Sequence, residues 1–426
     1  MQNEEKPKAS VAREYYKQVS AFKPNARKFL IYVLISGLTL GVYRLLFNFY
    51  AVSLGFDEAL LGKFITISSL SSLVFALPMG FVVDKIGRKK SLIAQSVMIL
   101  LSILVMALWP STMIFYLMNI IIGLASSIYS VALGPFLMEN SEKRERAYLF
   151  SFSQGIQMAA GFAGNWIGGY LPTWVGAYRG VDETSSLAYA GAIMTVALVS
   201  FIGLIPLFGI EAKPTLVTEK REFAPVKFIR ENTALVGKIF SPLLLTAIGA
   251  GMFVPFLNLY FRDVHNQSDG SVGALMAWGS LAMGAAFLIA PPIAEKLGKL
   301  KMVVITQGLS IPFMLMLGFS PLFWVAALAY YVRMAMMNMS SPIYQNFVYE
   351  QIDEKYQATV ASLYSIVWSV GWAFSPSISG AWQVKYGYKL PFTVAIILYA
   401  IAITMYYFFW LRKKKGTSSS VEGQGI

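Results

Sequence analysis

Gly80-Phe-Val-Val-Asp84-Lys85-Ile-Gly87-Arg88-Lys89-Lys90 is a charged turn between two long apolar stretches, and Pro291-Pro-Ile-Ala-Glu295-Lys296-Leu-Gly298-Lys299 repeats its pattern 211 residues later. The same register carries Glu139 onto Glu350, Ala147 onto Ala358 and Gly169 onto Gly380. Ahead of the turn, Asn48-Phe49-Tyr50 meets Asn258-Leu259-Tyr260 at an offset of 210, as a one-residue difference in loop length requires. Agreement at several separate motifs marks an internal duplication.

Outside the turns the chain is too apolar for a soluble globule. Of its 426 residues 56% are hydrophobic and 13% charged, which leaves little polar surface to face water. Apolar runs extend over Phe29 to Leu54, Ala59 to Val83, Ser91 to Trp109, Thr112 to Leu137, Ala147 to Leu171 and Leu187 to Ile210. Six more follow at Ile239 to Phe261, Val272 to Ala294, Met302 to Phe319, Leu322 to Val348, Ala358 to Gly380 and Leu390 to Leu411. Each is close to the roughly 17 to 25 residues that a membrane-spanning helix needs.

The net charge of +13 follows topology rather than a polyanionic partner. With the amino terminus inside, the outer loops hold only Lys63, Arg179, Arg262, Lys385 and Lys389, two arginines fall within helices, and the other basic residues face the cytoplasm. No basic groove interleaved with aromatics is visible, so nucleic acid is not an expected partner. The first 28 residues are polar and the first apolar run is long enough to remain as an anchor, so no cleavable signal is expected. Val11, Tyr15, Val19 and Phe22 lie at helical spacing among Lys8, Arg13, Lys17 and Lys23, which suits a helix on the inner leaflet. The tail from Gly416 to Ile426 reads as disordered. With no cysteine there is neither a disulfide nor a thiolate metal site. No Gly-rich phosphate loop points to ATP hydrolysis.

The turn at Gly80 resembles the loop between helices 2 and 3 of the major facilitator superfamily: Gly, three variable residues, Asp, a basic residue, one variable residue, Gly, then basic residues. The resemblance covers Phe29 to Leu411 and implies an all-α integral membrane fold of twelve transmembrane helices in two pseudo-symmetric six-helix halves, with a solute site near the midplane between them. The expected organisation is a basic cytoplasmic segment 1–28, halves at 29–210 and 239–411, a cytoplasmic linker 211–238 and a cytoplasmic tail 412–426. The protein is expected in the plasma membrane, surrounded by lipid and working as a monomer without a cofactor.

In that family the first and fourth helix of each half line the cavity, which here brings Arg44, Asn119, Asn258 and Arg333 forward. Arg44 sits 16 residues after Lys28 and 13 before Asp57; Arg333 sits 12 after Pro321 and 17 before Glu350. Both fall near mid-membrane, where a guanidinium costs about 2.5 to 3.5 kcal/mol and marks function. Asn48 lies one turn beyond Arg44, and Asn338 and Tyr344 lie on the helix of Arg333, so each arginine heads a polar stripe. The two stripes are expected to face each other and bind an anionic or hydrogen-bond-accepting group of the solute, the alternatives being arginines that only tie helices together or that serve only coupling.

Glu139 and the charges up to Arg146 resemble the cluster that forms a cytoplasmic gate in the family. By that analogy Gly80, Asp84, Gly87, Arg88, Glu139 and Arg146 lock the outward-open state, with Glu295, Lys299 and Glu350 as a weaker copy. The alternative is a solvated loop that only orients the protein. No midplane carboxylate or histidine offers itself for proton coupling, since Glu139 and Glu350 sit at helix ends and His265 in an outer loop. Asn119 stands where drug and proton antiporters usually carry Arg, and Asn165 where they usually carry Pro. The expected function is therefore secondary transport of a small organic anion or amphiphile, with a proton or counter-anion as coupling partner. A proton-coupled multidrug or cation antiporter and a transporter-derived receptor or scaffold are the alternatives. An enzyme is not expected, because no nucleophile, base or metal set is in evidence.

Overall fold

The computed structural model describes residues 22–142, 146–211, 225–353 and 356–412. The expected inner-leaflet helix before Phe22, most of the linker and the tail lie outside these residues. The first half is built from α1 (Pro24–Ser53), α2 (Glu58–Ile86), α3 (Arg88–Leu108), α4 (Thr112–Glu139), α5 (Arg146–Arg179) and α6 (Ser186–Phe208). The second begins with α7 (Thr233–Phe253), which continues through a turn at Val254–Phe256 into the helix Leu257–His265. It is completed by α8 (Asp269–Leu297), α9 (Lys299–Phe319), α10 (Phe323–Glu350), α11 (Gln357–Tyr386) and α12 (Lys389–Tyr406).

These helices follow the twelve apolar runs, but among the described residues only nine spans are apolar enough to cross a membrane by composition alone. The shortfall is α5, α10 and α11, which carry polar residues such as Gln157 and Asn165, Arg333 and Gln345, and Ser375 and Ser379. They are held between other helices, so packing rather than lipid solvation accommodates those groups.

The turns that reveal the duplication are alike in structure. Gly87 and Gly298 end α2 and α8 with φ of 88° and 84°, a backbone region that side-chain-bearing residues seldom enter. Arg88 and Lys299 then open the next helix and reach equivalent acids. Arg88 Nη2 lies 3.1 Å from Asp84 and its Nε 3.4 Å from Glu139, while Lys299 Nζ pairs with Glu350. At the opposite, far end the N-caps also correspond: Asp57 accepts from the Leu60 amide and Ser268 from the Ser271 amide. Tyr50 donates to the Met106 carbonyl at 3.2 Å, and Tyr260 to the equivalent Leu317 carbonyl at 2.5 Å.

At the far end the two halves meet along seams that admit almost no side chain. A Cβ at Gly273 of α8 would lie 2.6 Å from the Asn165 carbonyl of α5, and one at Gly169 of α5 would lie 2.8 Å from the Asp269 carbonyl of α8. In the equivalent seam, a Cβ at Gly62 of α2 or Gly380 of α11 would collide with the carbonyls of Pro376 or Glu58. Nearer the turns, the same helices carry Gly80, Gly155 and Gly284, where an added Cβ would meet open space. The buried apolar side chains divide accordingly. One cluster runs through both halves at the far end, joining Leu45, Phe49 and Tyr189 to Phe253 and Tyr260. At the basic end the halves keep separate cores, around Phe29 and Phe136 in one and Phe240 and Val348 in the other.

Because the chain has no cysteine, labels can be introduced cleanly at the exposed far-end positions Tyr178 and Trp324. Gly273→Val should lengthen the distance between spin labels at Tyr178→Cys and Trp324→Cys by prising the seam apart; an unchanged distance distribution would contradict the close-approach account. The buried Arg88 and the more exposed Lys299 should also differ. Arg88→Ala should cost about 2 kcal/mol in unfolding measurements and Lys299→Ala under about 1 kcal/mol, and equal losses would count against burial as the cause.

Candidate functional site

A cavity of about 740 Å³ lies between the halves, within the range of pockets that hold drug-sized solutes. Its closed end lies at the far-end seams and it widens toward the basic turns. The closed end is made by two residues that the duplication relates. Asn48 Nδ2 donates to the Pro255 carbonyl at 2.7 Å and to Asn258 Oδ1 at 2.8 Å, and Asn258 Nδ2 donates back to the Leu45 carbonyl at 2.8 Å. The turn at Val254–Phe256 positions this pair, because Pro255 has no N–H to continue α7 as a regular helix. The reciprocal bonds sit on the axis relating the halves, so the two asparagines close the cavity.

Further contacts tie the halves together beyond the asparagines, including Trp278 of α8, whose ring centre lies 5.7 Å from that of Phe162 and 6.2 Å from that of Trp166 of α5. Tyr189 of α6 donates to Asp269 of α8 at 2.5 Å. The Arg262 guanidinium lies 4.5 Å from the centre of the Phe49 ring, and the Ser377 amide donates to Thr66 Oγ1 at 3.2 Å. His265 ends its helix rather than standing in a loop; its buried ring bonds the Tyr260 hydroxyl at 3.2 Å, a structural position.

Arg44 lines the cavity and is exposed to it, and it is the one charged side chain among the lining residues described. Among the described residues no carboxylate pairs with it. Asn119 also lines the cavity, its amide held by the Phe115 carbonyl at 2.8 Å. Around the wider part, Gln95 donates to the Tyr32 hydroxyl at 2.8 Å and to Ser96 at 2.7 Å, forming a polar wall from α1 and α3.

The second expected stripe does not face the first. Arg333 is buried away from the cavity, its guanidinium 4.6 Å from the centre of the Tyr399 ring and 5.8 Å from that of Phe253. Those rings from α12 and α7 cover its face within the second half. Tyr344 donates to the Ile239 carbonyl at 2.8 Å, and Asn338 to the Met334 carbonyl at 2.8 Å, so both bond to backbone and neither lines the cavity.

Among the described residues, the ion pairs formed by the expected gate residues lie within each half. Asp84 and Glu139 meet on Arg88, Lys299 meets Glu350, and Glu295 is exposed. Arg146 opens α5, but its side chain lies outside the described residues. Gly80 and the turn glycine Gly87 stand at the separated end, away from either seam.

Sequence reasoning missed the cavity contributions of Tyr32, Gln95, Met276, Tyr330 and Trp372. A signal was present for two of them: adding 211 to Asn119 gives Tyr330, and to Ile65, which also lines the cavity, gives Met276.

The family model for the Major Facilitator Superfamily matches residues 29–376 and again 243–425. The quinolone resistance protein NorA of Staphylococcus aureus is 22% identical over 365 residues, covering 84% of this chain and 90% of that protein. The class H tetracycline resistance protein of Pasteurella multocida is 23% identical over 377 residues, covering 84% and 88%. In structure, the chain resembles a bacterial homologue of the human lysosomal transporter Spinster in its inward-facing, unoccupied conformation, with a TM-score of 0.74, 11% identity and coverage of 90% and 96%. With twelve helices in two related halves around a central cavity, this chain is a member of the Major Facilitator Superfamily: a multi-pass membrane transporter and not an enzyme.

Proposed function

We propose that this transporter carries a small organic anion, or an amphiphile with one anionic group, across the plasma membrane by alternating access. The observation that carries the reading is Arg44, a single cation with no protein counter-charge in a cavity otherwise lined by neutral groups. In a low-dielectric cleft such a charge attracts anions and repels cations more strongly than it would in water. Its planar fork suits a carboxylate or phosphate. Asn119 adds a polar group to the same chamber, and Asn48 and Asn258 close its floor. The excess of basic residues at the turn end supports a cytoplasmic position for that end and both termini, and on this reading the described conformation is inward-open. Exchange for a counter-anion, or movement with a proton, would complete the cycle in a monomer.

The quinolone and tetracycline resistance named for the relatives favours drug efflux, and with it a second reading, a proton-coupled multidrug or cation antiporter. Against the cationic form of that reading, none of the described lining residues carries a carboxylate to hold a lipophilic cation or a coupling proton.

Arg44→Gln separates binding from structure. Removing an unpaired intramembrane charge should leave the ligand-free melting temperature unchanged or raised. Stabilisation of the purified protein by organic acids should fall at least about tenfold in apparent affinity. A lower ligand-free melting temperature with undiminished response to acids would make Arg44 a packing residue instead.

A further inference from the structure

The duplicated frame gives each cavity position a counterpart in the other half. Pairs that support the structure are preserved: Asn48 and Asn258 bond each other, Tyr50 and Tyr260 cap equivalent carbonyls, and Arg88 and Lys299 meet equivalent acids. Part of the cavity wall breaks this rule, while Ile65 and Met276 stay alike and the first half keeps aromatic residues such as Tyr32 and Tyr129 in its own wall. Arg44 corresponds to Val254 in the register of 210 that the reciprocal asparagine bonds fix, and both line the cavity. In the register of 211, Asn119 corresponds to Tyr330, both of which line the cavity, and Gly161, which does not line it, to Trp372, which does. At all three pairs the first half has a charged, polar or small residue and the second an apolar or aromatic one.

The second-half residues form one surface. Tyr330 directs its hydroxyl to Met276 Sδ at 3.3 Å, a weak acceptor, which turns ring and thioether into a continuous wall. Trp372 lines the same cavity from α11, and its indole Nε1 has no hydrogen-bond partner among the described residues.

From this divergence on a conserved frame we infer that the cavity is divided: the first half reads the anionic group through Arg44, and Val254, Met276, Tyr330 and Trp372 of the second half read an aromatic body. The solute class is then an aromatic monoanion, with ring and acid at opposite ends. This rests on the anion reading above and adds to it Trp372 and Tyr330 as specificity-determining residues. Aromatic contact favours flat rings over flexible chains of similar apolar area, and the single guanidinium favours acid over amide.

Calorimetric binding of naphthoate, naphthamide and octanoate to the purified full chain tests the division. Wild type should bind naphthoate roughly tenfold or more tighter than either of the others. Arg44→Gln should erase the preference for naphthoate over naphthamide, and Trp372→Leu the preference for naphthoate over octanoate while keeping acid over amide. Tyr330→Leu provides the same reading should Trp372→Leu not purify as a monodisperse protein. If Trp372→Leu and Tyr330→Leu leave the aromatic preference intact, or abolish both preferences together, the division is overturned. Wild type that prefers naphthoate to naphthamide but not to octanoate overturns this inference alone; wild type that prefers naphthamide, or binds no probe, overturns the anion reading with it.

Discussion

Everything in this molecule hangs on backbone meeting backbone at one end. Where α2 crosses α11 and α5 crosses α8, glycines at positions 62, 273, 169 and 380 bring main chains together with no room for a Cβ. Such contacts are stiff against sliding but cover little length, so two rigid six-helix bodies are joined at their far ends and free elsewhere. The division of the core follows: continuous across the joined end, separate at the other. The cavity is the wedge left between them. Two pseudo-symmetric seams and a reciprocal asparagine pair between them define an axis about which the halves can rock, which is the motion alternating access requires.

Symmetry also separates structural from functional residues. A duplicated scaffold keeps residues in pairs where both copies do the same mechanical job, as the turn glycines with positive φ and the cation–carboxylate pairs after them do. Where one solute must be held off the axis, identical copies offer no advantage and the pairs diverge. The single charge of Arg44 opposite Val254 is the sharpest instance. Among the described residues it has no acidic partner to offset its intramembrane cost, which an anion in the proposed site would do.

Much of the frame was legible in the sequence. The charged turns reveal the duplication because only glycine suits their backbone, and only charge holds them at the membrane boundary. Most helix limits were legible to within a few residues because apolar length maps onto bilayer thickness, whereas α5 and α11 run on to Arg179 and Tyr386, well past their apolar runs. Direction around a helix was not. Periodicity puts Arg333, like Arg44, near the midplane, yet it cannot tell a cavity from a neighbouring aromatic pair, and Tyr399 and Phe253 cover Arg333 inside its own half. Likewise Trp372 resembles lipid-facing or packing aromatics until α11 is placed beside the cavity. The reciprocal bonding of Asn48 and Asn258 was visible as a repeat and invisible as a contact, because a repeat says nothing of distance between its copies.

The most direct test of a charge-polarised cavity is an anomalous-scattering map of the protein crystallised with bromonaphthoate. The account predicts a bromine peak against Tyr330 and Trp372, with the carboxylate on the Arg44 guanidinium. A ligand turned end for end, or seated outside the wedge between the halves, would contradict it.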